Sequence, residues 1–498
     1  MEKEEYARYL SDKATLETHG MKVLNLFQDK NGFLPKKAEE IGSKNLQILN
    51  VLPKNYETFS IEYNNNIKKI KEKETPKKAK VFSRIGQAEE YIEENPLYYC
   101  KSCLWWKWNK NEFKYELVDE VDILNSILEE LDIDTVNSTA RTEILNALKQ
   151  VARRNAPKEI ESTWIQFHDT IVDIMTGERF IASPYYFVTN PIPYRLHPER
   201  FENTPIMDKI FEEWVGKENV KTLYEIIAYC LLPSYPLHRL FCFIGGGMNG
   251  KSCFLNLLRK FIGNSNVTST ELDILLNSRF EITRLHKKLV CIMGETNFNE
   301  MSKTSQLKKL TGGDYMGFEY KNKNPFEDVN YAKILLATNN LPTTTDKTLG
   351  FYRRWMIIDF PNQFSEKKEV LDEIPEEEFE SLALKSLILL KDLLINRKFH
   401  NEGSVEDRMK KFEEKSDFLQ KFVEETTEED MEGFITKADF RKKFHEWCKE
   451  KNYRIMAENS ISKKLKEKGV EISRKYFDWL HDGKGGQLYC YFGLKWKN

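Results

Sequence analysis

The segment GGGMNGKS at 245–252 sits between the apolar run LFCFI (240–244) and a helical pattern carrying Phe254, Leu255, Leu257, Leu258 and Phe261. A buried strand, a glycine-rich turn and an amphipathic helix in that order match the phosphate-cradling pattern G-x-x-x-x-G-K-[ST]. The glycines let backbone N–H groups curl around phosphate oxygens with no Cβ in the way. The helix that follows adds the partial positive charge of its N-terminus. Gly245, Gly246, Gly247, Met248, Asn249, Gly250, Lys251, Ser252 and Cys253 are therefore expected to hold a nucleoside triphosphate. Lys251 is placed to reach the outer phosphates and Ser252 to ligate Mg²⁺.

Three further apolar runs follow: LVCIM (289–293), AKILLA (332–337) and WMIIDF (355–360). Runs apolar on both faces and separated by helical text predict an α/β unit with a largely parallel, doubly covered sheet. The second run ends in Gly294-Glu295, which sets a carboxylate at the sheet edge, suited to polarising an attacking water and to contact Mg²⁺. The third ends in Asn339-Asn340; Asn339, closer to the strand, is expected to hold that water. Arg353 and Arg354 precede the fourth run. A planar, permanently charged guanidinium suits the charge that spreads over a transferring phosphoryl group, and Arg354 is the expected provider.

With 498 residues the chain has room for several domains, and 40% hydrophobic content supplies real cores. Lys and Arg number 76 against 78 Asp and Glu, a net charge of −2, so nucleic acid would have to be met by local basic patches. Only Cys100 and Cys103 among eight cysteines form a CxxC pair, too few for a zinc site. Acidic and polar residues follow Met1, and no apolar run approaches the roughly 20 residues that span a bilayer. The expectation is a soluble, cytoplasmic protein with no membrane partner.

Outside the strand-rich centre, IKKIKEKETPKKAK (67–80) reads as a solvated linker, or a DNA contact. YYCKSCLWWKWNKNEFKYEL (98–117) reads as two short strands and a turn, Val121–Val151 as helical, and WIQFHDTIVDIMTGERFI (164–181) as strands about Thr176-Gly177. Ile206, Ile210, Phe211 and Trp214 recur at helical spacing and read as a packing face. Asp132-Ile133-Asp134 reads as a helix edge. From about Ser416 the order is helix, helix, helix and a hairpin about 482–486.

GGGMNGKS, IMGET, LKKLTGGD (307–314), ATNNLP and RRWMIIDF, in that order, resemble the superfamily 3 helicases of the AAA+ class. The likeness is to the C-terminal halves of poxvirus-type and phage or plasmid primase–helicases. It is specific over about 235–362 and looser over 95–232 and the C-terminal winged helix.

The resemblance implies an α/β multidomain chain: an AAA+ P-loop core, a mixed α+β N-terminal region and a C-terminal winged helix. The corresponding expected units are residues 1–94, of no assigned role; 95–232, a ring-forming collar; 233–365, the motor; 366–412, a helical connector; and 413–498, the winged helix. It implies a homo-hexamer that hydrolyses ATP with Mg²⁺ between subunits, Arg354 reaching into the neighbour's site, and a 3′ to 5′ motor on single-stranded and forked DNA. A hairpin over 316–329 would enter the channel, with Lys321 and Lys323 facing DNA phosphates and Asn322 between them. In the winged helix Lys463 and Lys464 would meet DNA, the alternative being a protein-docking face. A separate primase or initiator would be its partner. Two features depart from the family pattern: Gly294 stands where many members have a second acid, and Asn322 where many have a histidine. The rival readings are an AAA+ loader or switch that does not unwind, and an origin-binding scaffold with a vestigial motor.

Overall fold

The computed structural model describes residues 84–131, 137–196, 203–294, 300–301, 303–321, 323–339, 341–365, 370–450, 455–478 and 485–497. The chain is a mixed α/β multidomain protein built around a five-stranded parallel sheet.

Helix α1 (Arg84–Glu94) leads into an antiparallel sheet of β1 (Leu97–Tyr99), β2 (Trp105–Asn109) and β3 (Lys114–Val118). The aromatic text thus forms three strands rather than two, because Cys100–Leu104 makes a tight turn of its own (Cys103 N–H to Cys100 O, 3.0 Å). Helices α2 (Glu120–Leu131) and α3 (Ser138–Arg154) follow, α3 capped by the Asn137 side chain accepting from Ala140 N–H. Ile92, Leu97, Trp105, Ile123, Leu148 and Val151 form their shared core.

Strand β4 (Lys158–Glu159) pairs with β8 (Tyr186–Phe187), and β5 (Trp164–Phe167), β6 (Thr170–Asp173) and β7 (Arg179–Ile181) make a meander. Trp106, Trp108, Tyr115, Trp164 and Phe187 join the two sheets into an aromatic layer.

Helices α4 (Pro205–Val215) and α5 (Val220–Cys230) precede the central unit. Its chain order is β9 (Leu240–Ile244), α6 (Lys251–Ile262), β10 (Val267–Ser269), α7 (Leu272–Asn277), α8 (Arg279–Ile282), β11 (Val290–Met293), β12 (Glu300–Met301), α9 (Thr304–Leu310), β13 (Tyr315–Phe318), β14 (Phe326–Val329), β15 (Lys333–Thr338), β16 (Thr343–Thr344), α10 (Leu349–Tyr352) and β17 (Trp355–Asp359). The sheet order is β10-β11-β15-β9-β17, every pair parallel.

The period of two in a strand divides the apolar residues between two cores. Phe241, Phe243, Val290, Ile292, Leu335, Ala337, Met356 and Ile358 face α4, α5, α6 and α11 (Glu376–Asn396). Leu240, Cys242, Cys291, Met293, Ile334, Leu336, Trp355 and Ile357 face the α7–α10 side, which α12 (Val405–Ser416) closes with Phe412. Each fully buried Phe or Leu contributes roughly 1.5–3 kcal/mol. The first core runs unbroken from Ile165 to Phe399, across the boundaries expected at 232/233 and 365/366.

The C-terminal unit is α13 (Phe418–Thr426), β18 (Thr427–Thr436), α14 (Lys437–Glu450), α15 (Glu458–Glu467), β19 (Glu471–Phe477) and β20 (Gly486–Trp496). Three helices pack on an antiparallel sheet of order β18-β20-β19 around Phe422, Phe440, Phe444, Ile461, Leu465 and Tyr491. Strand β18 is absent from the sequence expectation. Its text, TEEDMEG, is acidic, and a register irregularity between Glu429 and Phe434 breaks the alternation that would have marked it.

Among the described residues no helix is long and apolar enough to cross a membrane.

Candidate active site

Because β9, β11 and β15 are adjacent or one strand apart and all parallel, their C-terminal ends open on one edge of the sheet. That edge is where ligands bind in open α/β sheets. The loop after β9 curls through left-handed backbone at Gly247 (φ +102°), Met248 (φ +48°) and Gly250 (φ +89°). Asn249 Nδ2 donates to Phe360 O (3.2 Å), and Phe364 N–H donates to Met248 O (2.7 Å), so the loop is tied to the chain after β17. Gly245 and Gly250 are required by space: an added Cβ would lie 1.7 Å from Asn249 Nδ2 in the first and 2.5 Å from the Trp214 ring in the second.

Lys251 starts α6 and is only 7% exposed. Its ammonium donates to Gly245 O (2.6 Å), Asn249 Oδ1 (3.0 Å) and Asn339 Oδ1 (3.3 Å). The structure thus brings Lys251 and Asn339 together across β9 and β15, although 88 residues separate them. Ser252 is exposed and Cys253 half-buried on the first turn of α6, whose free N–H groups point the same way. Glu295 lies outside the described residues; Gly294, just before it, faces open space.

These groups line a cavity of about 960 Å³. Its other walls are Ile206, Ile210 and Trp214 of α4 and the segment containing Phe364, Ser365, Val370 and Glu373. Periodicity alone made the α4 residues a packing face, since a helical stripe looks the same whether it covers a core or a ligand; no signal in the sequence marked Phe364, Ser365, Val370 or Glu373. The volume is at the upper end of small-molecule sites. For Mg²⁺ the described donor is the Ser252 hydroxyl, a hard oxygen ligand that fits the ion beside nucleotide phosphates.

The arginines are elsewhere. Trp355 pairs with Leu240 and Asp359 with Ile244, so Arg354 sits at the opposite edge of the sheet, roughly 16 Å along β9 from the glycine loop at about 3.3 Å per residue. Nor does Arg354 present itself to a neighbour. It is 7% exposed, and its guanidinium donates to Thr311 Oγ1 (3.0 Å), Lys308 O (3.2 Å) and Gly350 O. The sequence expectation of a reaching Arg354 is corrected on this point: Arg353 closes α10 in helical backbone and Arg354 lies in the turn before β17, so the turn, not the strand, sets one outward and the other inward. Arg353 is exposed, with its backbone N–H donating to Leu349 O (2.9 Å).

Strands β13 and β14 form an antiparallel hairpin, Tyr315 opposite Val329 and Phe318 opposite Phe326. Lys321 and Lys323 are exposed in its turn; Asn322, with Asn340, Asp132 to Asp134, 67–80 and 482–484, lies outside the described residues. Tyr320 and Phe326 pack against the aromatic layer of Trp106 and Trp108. His286 joins them: its Nε2 lies 3.1 Å from the Asp328 carboxylate and its Nδ1 2.9 Å from the Tyr320 hydroxyl. Lys287 closes on the same carboxylate (3.0 Å). In the C-terminal unit Lys463 is exposed, whereas Lys464 pairs with Asp417 (3.3 Å), as does Lys468 (3.1 Å).

Residues 243–354 match a family described as a family of unknown function (DUF5906). Among solved structures, the chain is similar to the A form apo structure of the NrS-1 C-terminal region (12% identity, 83% of this chain, 100% of that one, TM-score 0.45). A second apo structure of that region gives 12% identity, 84% and 100% coverage and a TM-score of 0.45.

Proposed function

We propose that the chain is an ATP-driven DNA helicase of the superfamily 3, AAA+ type, working as a ring of identical subunits, with a natural place in replication initiation of a phage, plasmid or similar mobile element. The observation that carries this is the meeting of Lys251, Ser252 and Asn339 at one sheet edge while the exposed arginine lies at the other. Lys251 and the N-terminal amides of α6 would hold the β- and γ-phosphates, and Asn339, already bonded to Lys251, would orient the attacking water. Mg²⁺, held by Ser252 and the phosphates, would draw charge from the transferring group. Glu295 remains the proposed base. Because neither arginine reaches its own phosphate loop, the guanidinium must come from an adjacent copy, and exposure favours Arg353 over Arg354. The hairpin lysines 321 and 323 would grip the DNA backbone, and Lys463 of the winged-helix-like unit would add a further contact.

The test is ATP hydrolysis and strand displacement on forked DNA, with and without Lys251→Ala. We expect both activities in the wild type and a loss of about 100-fold or more in the variant, since several phosphate contacts go at once. One observation favours a second reading. The hairpin stem is packed on the aromatic layer, and the Lys323 charge is felt by Glu120 of α2, whose carboxyl is lowered chiefly by Lys149. A hairpin held this way suits a loader or switch; DNA-stimulated hydrolysis without strand displacement would select it.

A further inference from the structure

Arg354 has a different employment from the one its sequence position suggests. Helix α9 runs through Thr311, Gly312, Gly313 and Asp314 directly into β13, and so forms the root of the hairpin. Helix α10, a single turn of four residues, runs directly into Arg353. Two sets of contacts clamp these short elements together. In the first, the Arg354 guanidinium spans the gap from Gly350 O of α10 to Lys308 O and Thr311 Oγ1 at the end of α9. Thr311 passes the tie on, its hydroxyl donating to Leu307 O (2.8 Å). In the second, Lys308 Nζ pairs with Asp346 (2.6 Å) and donates to Thr348 Oγ1 (2.9 Å), the residue that caps α10 by accepting from Phe351 N–H. Burial works against the Asp346 charge, yet hydrogen bonds from Lys308, Thr348 and Thr304 hold its carboxyl well below the usual range. The turn itself is tight: a Cβ on Gly312 would lie 2.8 Å from Lys308 O.

We propose that this clamp is a coupling joint: Arg354 is a positioning residue that transmits displacement of Arg353, and hence occupancy of the adjacent subunit's nucleotide site, to the root of the 315–329 hairpin. The inference rests on the helicase reading above. Arg353 and Arg354 share a peptide bond, so a backbone shift at one carries the other. A buried guanidinium cannot leave its acceptors without stranding charged donors away from water, so α9 follows α10 rather than parting from it. A contact set with two arrangements biased from both ends is what physical coupling requires.

The experiment uses the full chain with Mg²⁺-ATP, with and without forked DNA, and compares Thr311→Val and Asp346→Asn with the wild type and with Thr311→Ser. Each weakens the joint while leaving Arg353, Lys251 and Asn339 in place; Asp346→Asn, nearer the surface, guards against a core variant that fails to fold. We expect hydrolysis without DNA to stay within about twofold, while its stimulation by DNA and strand displacement fall about tenfold, the size of a typical coupling. Thr311→Ser, which keeps the hydroxyl, should restore both. DNA stimulation that survives in both variants overturns the joint. So does a proportional fall of basal and stimulated rates, which would mark a purely structural role. A wild type whose hydrolysis ignores DNA defeats the helicase reading instead, and the joint falls with it.

Discussion

Gly250 carries two constraints that Gly294 does not. Its φ of +89° lies where side chains are strained, and an added Cβ would come 2.5 Å from the Trp214 ring. At Gly294 the backbone is ordinary and nothing lies within 4 Å. Gly250→Ala should therefore weaken binding of a non-hydrolysable ATP analogue at least tenfold and cost about 1–3 kcal/mol of stability, while Gly294→Ala should leave melting unchanged. Calorimetric titration and thermal melting of the two variants check this. A Gly250→Ala protein that binds and melts normally would mean that Trp214 yields freely. At this scale the sequence was legible wherever one residue type has one chemical reason to be present: a lysine after a glycine turn, or an amide at the end of a buried strand. Between Arg353 and Arg354 it favoured the second, whereas the first is the exposed one. Two adjacent identical residues in a turn differ only in which way the turn points them, and that depends on how α10 ends.

The hairpin is where element-level chemistry depends on acidity. Burial pushes His286 below its ordinary value, against the opposing pull of the Asp328 carboxylate, so the docked imidazole is neutral. A neutral ring with its proton on Nε2 satisfies both contacts, donating to Asp328 and accepting from the Tyr320 hydroxyl. When the element unfolds, the imidazole regains its usual affinity for a proton. The stabilisation is thus complete above about pH 6.5 and is lost as pH falls through that value towards the lower folded one, at up to about 1.4 kcal/mol per pH unit. The protection of amides over 315–329, taken relative to their intrinsic exchange rate at each pH, should fall between pH 7.5 and 5.5, and His286→Gln should flatten that fall; an identical profile in the variant would assign the titration elsewhere. The four central strands were readable because each is apolar on both faces. β10 (VTS) and β18 were not, the first being three residues at an edge and the second acidic and irregular. The wall residues Phe364, Ser365, Val370 and Glu373 come from beyond β17 and have no local signature.

For the molecule as a whole, the decisive test of a shared hydrolytic centre is complementation. Lys251→Ala spoils a subunit's phosphate loop and leaves its arginine; Arg353→Ala does the reverse. Each alone should be nearly inactive. Mixed in equal amounts, about a quarter of the boundaries in a head-to-tail ring pair a sound loop with a sound arginine, so ATPase should recover to about a quarter of the wild-type rate. A mixture no more active than its components would refute a centre completed by the neighbour. The broad α/β class was legible from the text, but the continuity of the core from Ile165 to Phe399 was not. A linear reading places borders where composition changes, whereas α5 and α11, far apart in sequence, pack on the same sheet face as α6.

The placement of the glycine loop and the outward arginine at opposite ends of parallel strands gives the chain a direction, like a plug and a socket. A two-fold pair built on a face that holds only one of them would leave both unmated. A symmetric pair, however well it buried its surfaces, would then be a dead end, and an interface variant that traps one should silence the protein without touching any residue of the cavity.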